Sequence, residues 1–200
     1  MFCCGGILGC LCLGVGVGAA AILVSPSSLR ADGAEETDVD RNIRTATHYI
    51  DQHDYPQALA YMQRALRDDP ESARANSGMG NLYAGMHQYE KAIPYLEKAL
   101  HLDPTDPTVF FGLGACYMDL QQHEQAIPYL EQLVKMRPRD VKPTEMLAVA
   151  YVRRGATFGK QGKNPQAKAA IQAAVALFQR TGNTARVNEL TAMLKAIPSS

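Results

Sequence analysis

The chain has no tryptophan, and its formal charges cancel, 20 basic residues against 20 acidic. A neutral chain offers no general basic face to phosphates, which argues against a nucleic-acid role. With aromatics at 7% of residues, it also has little with which to stack bases or sugars. Cysteine is scarce outside the N-terminus: Cys3, Cys4, Cys10 and Cys12 fall in the first dozen residues, and Cys116 alone lies in the body. A disulfide-stapled domain would spread its cysteines through the fold, so the body stands without covalent staples. Charge, finally, is missing from the start of the chain, where the first ionisable side chain after the thiols is Arg30.

That uncharged start, MFCCGGILGCLCLGVGVGAAAILV, covers residues 1–24. As a helix it would span roughly 36 Å, enough to cross a hydrocarbon core of about 30 Å. Its glycines would weaken a helix in water but are tolerated in lipid, where an open backbone has nothing to bond to. The leading expectation is an N-terminal apolar helix serving as a single membrane anchor, with the lipid bilayer as its partner. The alternative is a signal that is cleaved on export, with the small residues around Ala19–Ala21 as the cleavage site; the basic n-region of such a signal is missing. Arg30, Arg41 and Arg44 follow the segment and no basic residue precedes it, a slight lean towards a cytoplasmic body. Cys3 and Cys4 read as small packing residues or as acylation sites. Gly5, Gly9, Cys12, Gly16 and Ala20 share one helical side, a small-residue stripe through which two anchors could weakly self-associate. Residues 25–38, SPSSLRADGAEETD, are polar and acidic and read as a flexible linker.

The body repeats itself. EKAIPYLEKAL from Glu90 returns as EQAIPYLEQLV from Glu124, and PQALAYMQRAL from Pro56 is a paler copy, each 34 residues from the next. Small residues lead each second helix (Ala58, Ala92, Ala126) with a large apolar residue four positions on (Met62, Leu96, Leu130). MGNLY from Met79 and LGACY from Leu113 occupy the first helices, and Pro70, Pro104 and Pro138 close the units. Gly80 and Gly114 fall where two helices of a pair cross, and Tyr49, Tyr83 and Tyr117 follow three residues after that small position, on the same helical face. Thr45 and Ala46 replace Leu-Gly in the first unit, as an edge repeat tolerates. Pro94 and Pro128 are expected near the starts of their helices, where a missing N–H does least harm. A fourth unit is displaced by seven residues, close to two helical turns: Tyr151, Gly155 and Phe158, then Gly162 at the turn, then Ala167, Ile171 and Ala174. Val187, Leu190, Met193 and Leu194 then form an apolar stripe on a closing helix.

This pattern resembles the tetratricopeptide repeat (TPR). The resemblance implies an all-α fold, a right-handed α-solenoid of antiparallel helix pairs. It comprises about four units near 39–72, 73–106, 107–140 and 141–181, and a capping helix at 184–196, within a domain spanning 39–197. Each helix pair has two apolar faces and buries both only by stacking.

No catalytic constellation is visible. The five histidines (His48, His53, His87, His101, His123) are scattered, without the i, i+4 spacing and carboxylate of a metal site. GVGVG lies inside the apolar segment with no strand before it, so it is not a phosphate loop, and Cys116 reads as core filling. No cofactor, metal or nucleic acid is expected. The expected function is a non-catalytic, membrane-tethered scaffold for protein–protein interaction; the alternative is an exported or lipid-anchored assembly factor of an envelope or secretion apparatus.

By resemblance, the first helices line a concave groove. Its wall would be Ile43, Arg44, Thr47 and Ile50, then Ser77, Asn81 and Ala84, then Phe111, Ala115 and Met118, and lastly Val152, Arg153 and Ala156. It would take an apolar or amphipathic segment of another protein, with Phe111 and Met118 as anchors or, alternatively, packed within the superhelix. The family's clamp for a C-terminal carboxylate would need Lys, Arg and Asn where Ile43, Thr47, Gly78, Thr108 and Gly112 stand, so that clamp is absent.

Overall fold

A computed structural model describes residues 36–198; the apolar segment 1–24 and nearly all of the acidic linker lie outside them. Nine helices are present among the described residues, all in one compact unit, Thr37–Ser200. In order they are α1 (Asp38–Asp51), α2 (Tyr55–Asp68), α3 (Ala73–Gly85), α4 (Tyr89–Leu102), α5 (Pro107–Asp119), α6 (His123–Met136), α7 (Val141–Lys160), α8 (Asn164–Thr181) and α9 (Thr184–Ala196). Consecutive helices pack on one another throughout, an all-α solenoid closed by a final helix.

Local chemistry starts and stops the helices. Side chains of Thr37, Asp54, Ser72, Asp106 and Asn183 accept N-terminal backbone N–H groups, those left without an intrahelical partner. Pro107 opens α5 at a position where its missing N–H costs nothing. Pro94 and Pro128, expected near the helix starts, sit inside α4 and α6, about a turn in and on the exposed side.

The turn within each pair uses one backbone device. His53, His87 and Gln121 all have φ of 59°, and Gly162 has φ of 71°. The first three are 34 residues apart, and Gly162 carries the seven-residue shift. Only the last has the residue type that adopts this left-handed conformation without strain.

Packing within each pair rests on a close approach. A Cβ on Gly80 would lie 2.5 Å from Leu96 Cγ, and one on Gly114 would lie 2.6 Å from Leu130 Cδ2. The first pair solves the same contact differently, with Ala46 and the flexible Met62 in one buried cluster. Beside these contacts the rings of Tyr49–Tyr61, Tyr83–Tyr95 and Tyr117–Tyr129 stack at 5.5, 5.6 and 5.7 Å between centroids. Asn76 and Thr144 are buried polar side chains held by main-chain carbonyls: Asn76 donates to Pro70 and Ser72 at 3.0 and 2.8 Å, and Thr144 to Asp140 at 2.7 Å, whereas His123 Nδ1 is buried without a hydrogen-bond partner.

The helix α7 runs in two registers. Its first half keeps the 34-residue spacing: Leu147 and Ala150 occupy the positions of Leu113 and Cys116 and pack with α6 residues Ala126, Ile127 and Leu130. Its second half keeps the shifted spacing, so that a Cβ on Gly155 would lie 2.7 Å from Ile171 Cγ1, as Gly114 faces Leu130. Seven residues turn a helix through nearly two full revolutions, so Ala148, at the unshifted place of Gly114, lies on the same face as Gly155 and shares a buried cluster with Ile171. The closing helix α9 buries Leu190 and packs Val187 and Leu194 on α7 and α8; Met193, expected on that stripe, is 41% exposed.

Candidate functional site

The backbones of the first helices approach closely along the stack, α1 to α3, α3 to α5 and α5 to α7, closer than those of successive second helices. That asymmetry places the odd-numbered helices on the inner side of the curve.

The expected groove residues divide into three groups. Ile43 and Ser77 are buried, Ile43 as part of the first core cluster, so neither presents an open surface. Arg44, Thr47, Arg153 and Ala156 are exposed, while Ile50, Asn81, Ala84 and Val152 are half-buried. Asn81 reaches across from α3 to α5, where a Cβ on Gly112 would lie 3.0 Å from its Oδ1. Val152 packs into the cluster that α9 closes. Phe111, Ala115 and Met118 alone are brought together, along one wall of a single open hollow of ≈ 880 Å³.

Helix periodicity explains that wall. Positions 111, 115 and 118 are one face of α5, while the neighbouring Phe110 turns into the stack and is 8% exposed. The opposite wall comes from the first half of α7, through Val141, Lys142, Met146 and Val149, and one end is closed by Asn183 and Arg186. Sequence reasoning missed these α7 residues because it carried the shifted register across the whole helix. The signal was present: Lys142, Glu145, Met146 and Val149 follow an i, i+3, i+4, i+7 spacing.

Val141 lies at the mouth and is 54% exposed, an unusual setting for a large apolar side chain. A second hollow, ≈ 480 Å³, adjoins the first and shares Phe111, Val141 and Lys142 with it. Lys142 holds its ammonium 5.1 Å from the centre of the Phe111 ring, within cation–π range. Glu145 is occupied, accepting hydrogen bonds from Asn183 Nδ2 at 2.9 Å and Thr181 Oγ1 at 3.3 Å.

Burial pushes several ionisable groups of the stack towards their neutral forms. Cys116 is fully buried and its thiol is pushed up to about 11, mainly by desolvation and next by the charge of Asp119, which keeps it protonated and unreactive. Tyr117 and Tyr151 are each pushed up to about 12 by burial and then by the carboxylates beside them. His123 is lowered by desolvation and by Arg153. Among the described residues no three His, Cys, Asp or Glu side chains are grouped to hold a metal ion, and no helix is long and apolar enough to cross a membrane.

Stacked helix pairs with an open inner face define a repeat scaffold suited to protein–protein interaction. Two family models, each described as tetratricopeptide repeat, match residues 43–107 and 84–148. The chain belongs to the tetratricopeptide-repeat proteins. No curated protein matches it. Among solved structures it is similar to MamA 41-end from Desulfovibrio magneticus RS-1, at 18% identity and TM-score 0.58, over 82% of this chain and 97% of that one. YrrB, described as a TPR protein with an unusual peptide-binding site, is 23% identical with TM-score 0.56, over 78% and 84%. The first TPR of Spaghetti (RPAP3) bound to HSP90 peptide SRMEEVD is 18% identical with TM-score 0.55, over 56% and 90%. At these identities the likeness is one of fold.

Proposed function

We propose that the protein is a tethered docking scaffold that receives an apolar or amphipathic segment of another protein on its inner face, against Phe111, Ala115 and Met118. The observation that carries the reading is the hollow between α5 and α7, with apolar walls and a half-exposed valine at its mouth. Aromatic and methionine side chains on such a surface are the usual anchors of a bound helix. Two solved relatives in fold support a peptide as occupant: YrrB is described with a peptide-binding site, and the Spaghetti domain is bound to an HSP90 peptide. In this reading the solenoid is right-handed, as in its family, and residues 1–24 supply a membrane anchor.

Phe111→Glu tests the groove. The substitution is expected to abolish capture of the partner from native membranes and to leave the melting temperature nearly unchanged, because the ring is only half-buried. A large drop in melting temperature would assign Phe111 to the core instead. Most of the binding should persist in raised salt, since screening weakens exposed charge pairs far more than apolar burial.

The second reading is an exported or lipid-anchored assembly factor, favoured by the small residues at Ala19–Ala21. Intact-mass measurement of the native protein separates the two: a full-length N-terminus supports the anchor, a shortened one the export signal.

A further inference from the structure

The two adjoining hollows differ in charge. Around the inner one Arg186 and Lys142, the latter shared with the outer hollow, balance Asp119 and Glu145; Glu145 holds Asn183 and Thr181, and Arg186 pairs with Glu189 at 2.9 Å. Around the outer one, at the corner between α6 and α7, stand Arg137, Arg139 and Lys142 against a single carboxylate, Asp140. Asp140 lies 3.8 Å from Arg137, a long and exposed pair that is weak in water. Lys142 leans on the Phe111 ring, so the cationic lip and the apolar wall meet at one aromatic side chain.

Resting on the groove reading above, we propose that the occupant is an acidic amphipathic segment of another protein. Its apolar side chains seat against Phe111, Met118 and Met146, and a carboxylate beside them lands on the lip of Arg137, Arg139 and Lys142. Charge complementarity selects this occupant: the lip has two more positive than negative side chains, and a basic segment would meet them with like charge. These cations come from the corner between α6 and α7, not from the first-helix positions Ile43, Thr47, Gly78, Thr108 and Gly112 that would form the family's carboxylate clamp; of those five, only Thr108 lines the same hollow. The lip therefore discriminates among apolar segments, while the wall holds them.

The test is a random-peptide display selection on the full chain in detergent, followed by fluorescence anisotropy of the selected peptides. The expected peptides carry Asp or Glu next to Leu, Ile or Met. Combined Arg139→Glu and Lys142→Glu substitution should weaken them roughly three- to tenfold, the scale of exposed charge pairs, and a new selection on that variant should return Lys- or Arg-bearing peptides. Both side chains are exposed, so the variant folds, which its circular dichroism melt would show. Peptides that need Phe111 but show no acidic bias would overturn the carboxylate while leaving the groove intact. Peptides indifferent to Phe111→Glu would remove the groove itself. Phe111-dependent dimers in place of peptide capture would give the hollow to a second copy and overturn the proposal, and failure to retain any peptide would count against both readings.

Discussion

The phenol of Tyr117 donates to the carboxylate of Glu97 across the boundary between α5 and α4, at 3.2 Å. The same bond recurs 34 residues on, from Tyr151 to Glu131. It ties each of these inner helices to the second helix of the preceding pair, and it holds both phenols neutral, each pushed up to about 12 by burial and by its carboxylate.

Alkaline pH should therefore loosen the stack. Below about pH 10 both phenols are protonated in folded and unfolded chains alike, and their contribution is complete. Between about 10 and 12 the unfolded chain has released protons that the folded chain still holds, so stability falls as pH rises. Urea midpoints measured across that window should decline, and Tyr117→Phe with Tyr151→Phe should flatten the decline.

The glycine contacts set a second expectation. Gly80→Ala should cost roughly 1–3 kcal/mol, because the new methyl meets Leu96 Cγ in a packed interior. Adding Leu96→Met should recover part of the loss, since it recreates the Ala46 and Met62 pairing of the first pair. Denaturant melts of the single and double variants measure both effects. If the double variant is no better than the single, flexibility at the large position is not what lets the first pair carry alanine.

Gln121 occupies a left-handed turn position that glycine fills at the corresponding place in the fourth pair. Gln121→Gly should raise stability by about 0.5–1 kcal/mol, read as an increase in melting temperature. His87→Gly should give less, because His87 Nδ1 and the Tyr89 hydroxyl share a hydrogen bond at 2.8 Å that would be lost.

Cys116 supplies a probe of opening. With its thiol buried and its pKa near 11, Cys116 should resist thiol reagents at pH 8 in the folded chain and react on unfolding. Because Cys3, Cys4, Cys10 and Cys12 would react independently, the measurement follows Cys116 by mass spectrometry of its own peptide. Fast native labelling would mean that the α5 region opens locally.

Much of the solenoid was legible because its signals are periodic and redundant. Gly80, Gly114 and Gly155 each announce a crossing, with Ala92 facing Gly80, Leu130 facing Gly114 and Ala167 facing Gly155. The tyrosine stacks were only half legible: Tyr49, Tyr83 and Tyr117 stand out by their distance from the small residue, whereas Tyr61, Tyr95 and Tyr129 become meaningful only once two helices are folded together. His53 and His87 hid a left-handed backbone behind side chains that rarely adopt one. The groove was less legible still. Ile43 and Ser77 sit on the expected face but are covered by neighbouring helices, and coverage is a property of the stack, not of one helix. Val152 was placed by the shifted spacing, while the wall opposite Phe111 follows the unshifted one.

The helix α7 answers to its predecessor on one spacing and to its successor on another, seven residues longer. Two extra turns act there as a phase-preserving spacer, and the module can lengthen without rotating what comes after it. Growth by seven residues is thus open to this architecture, while growth by five would swing every downstream contact round to the wrong side.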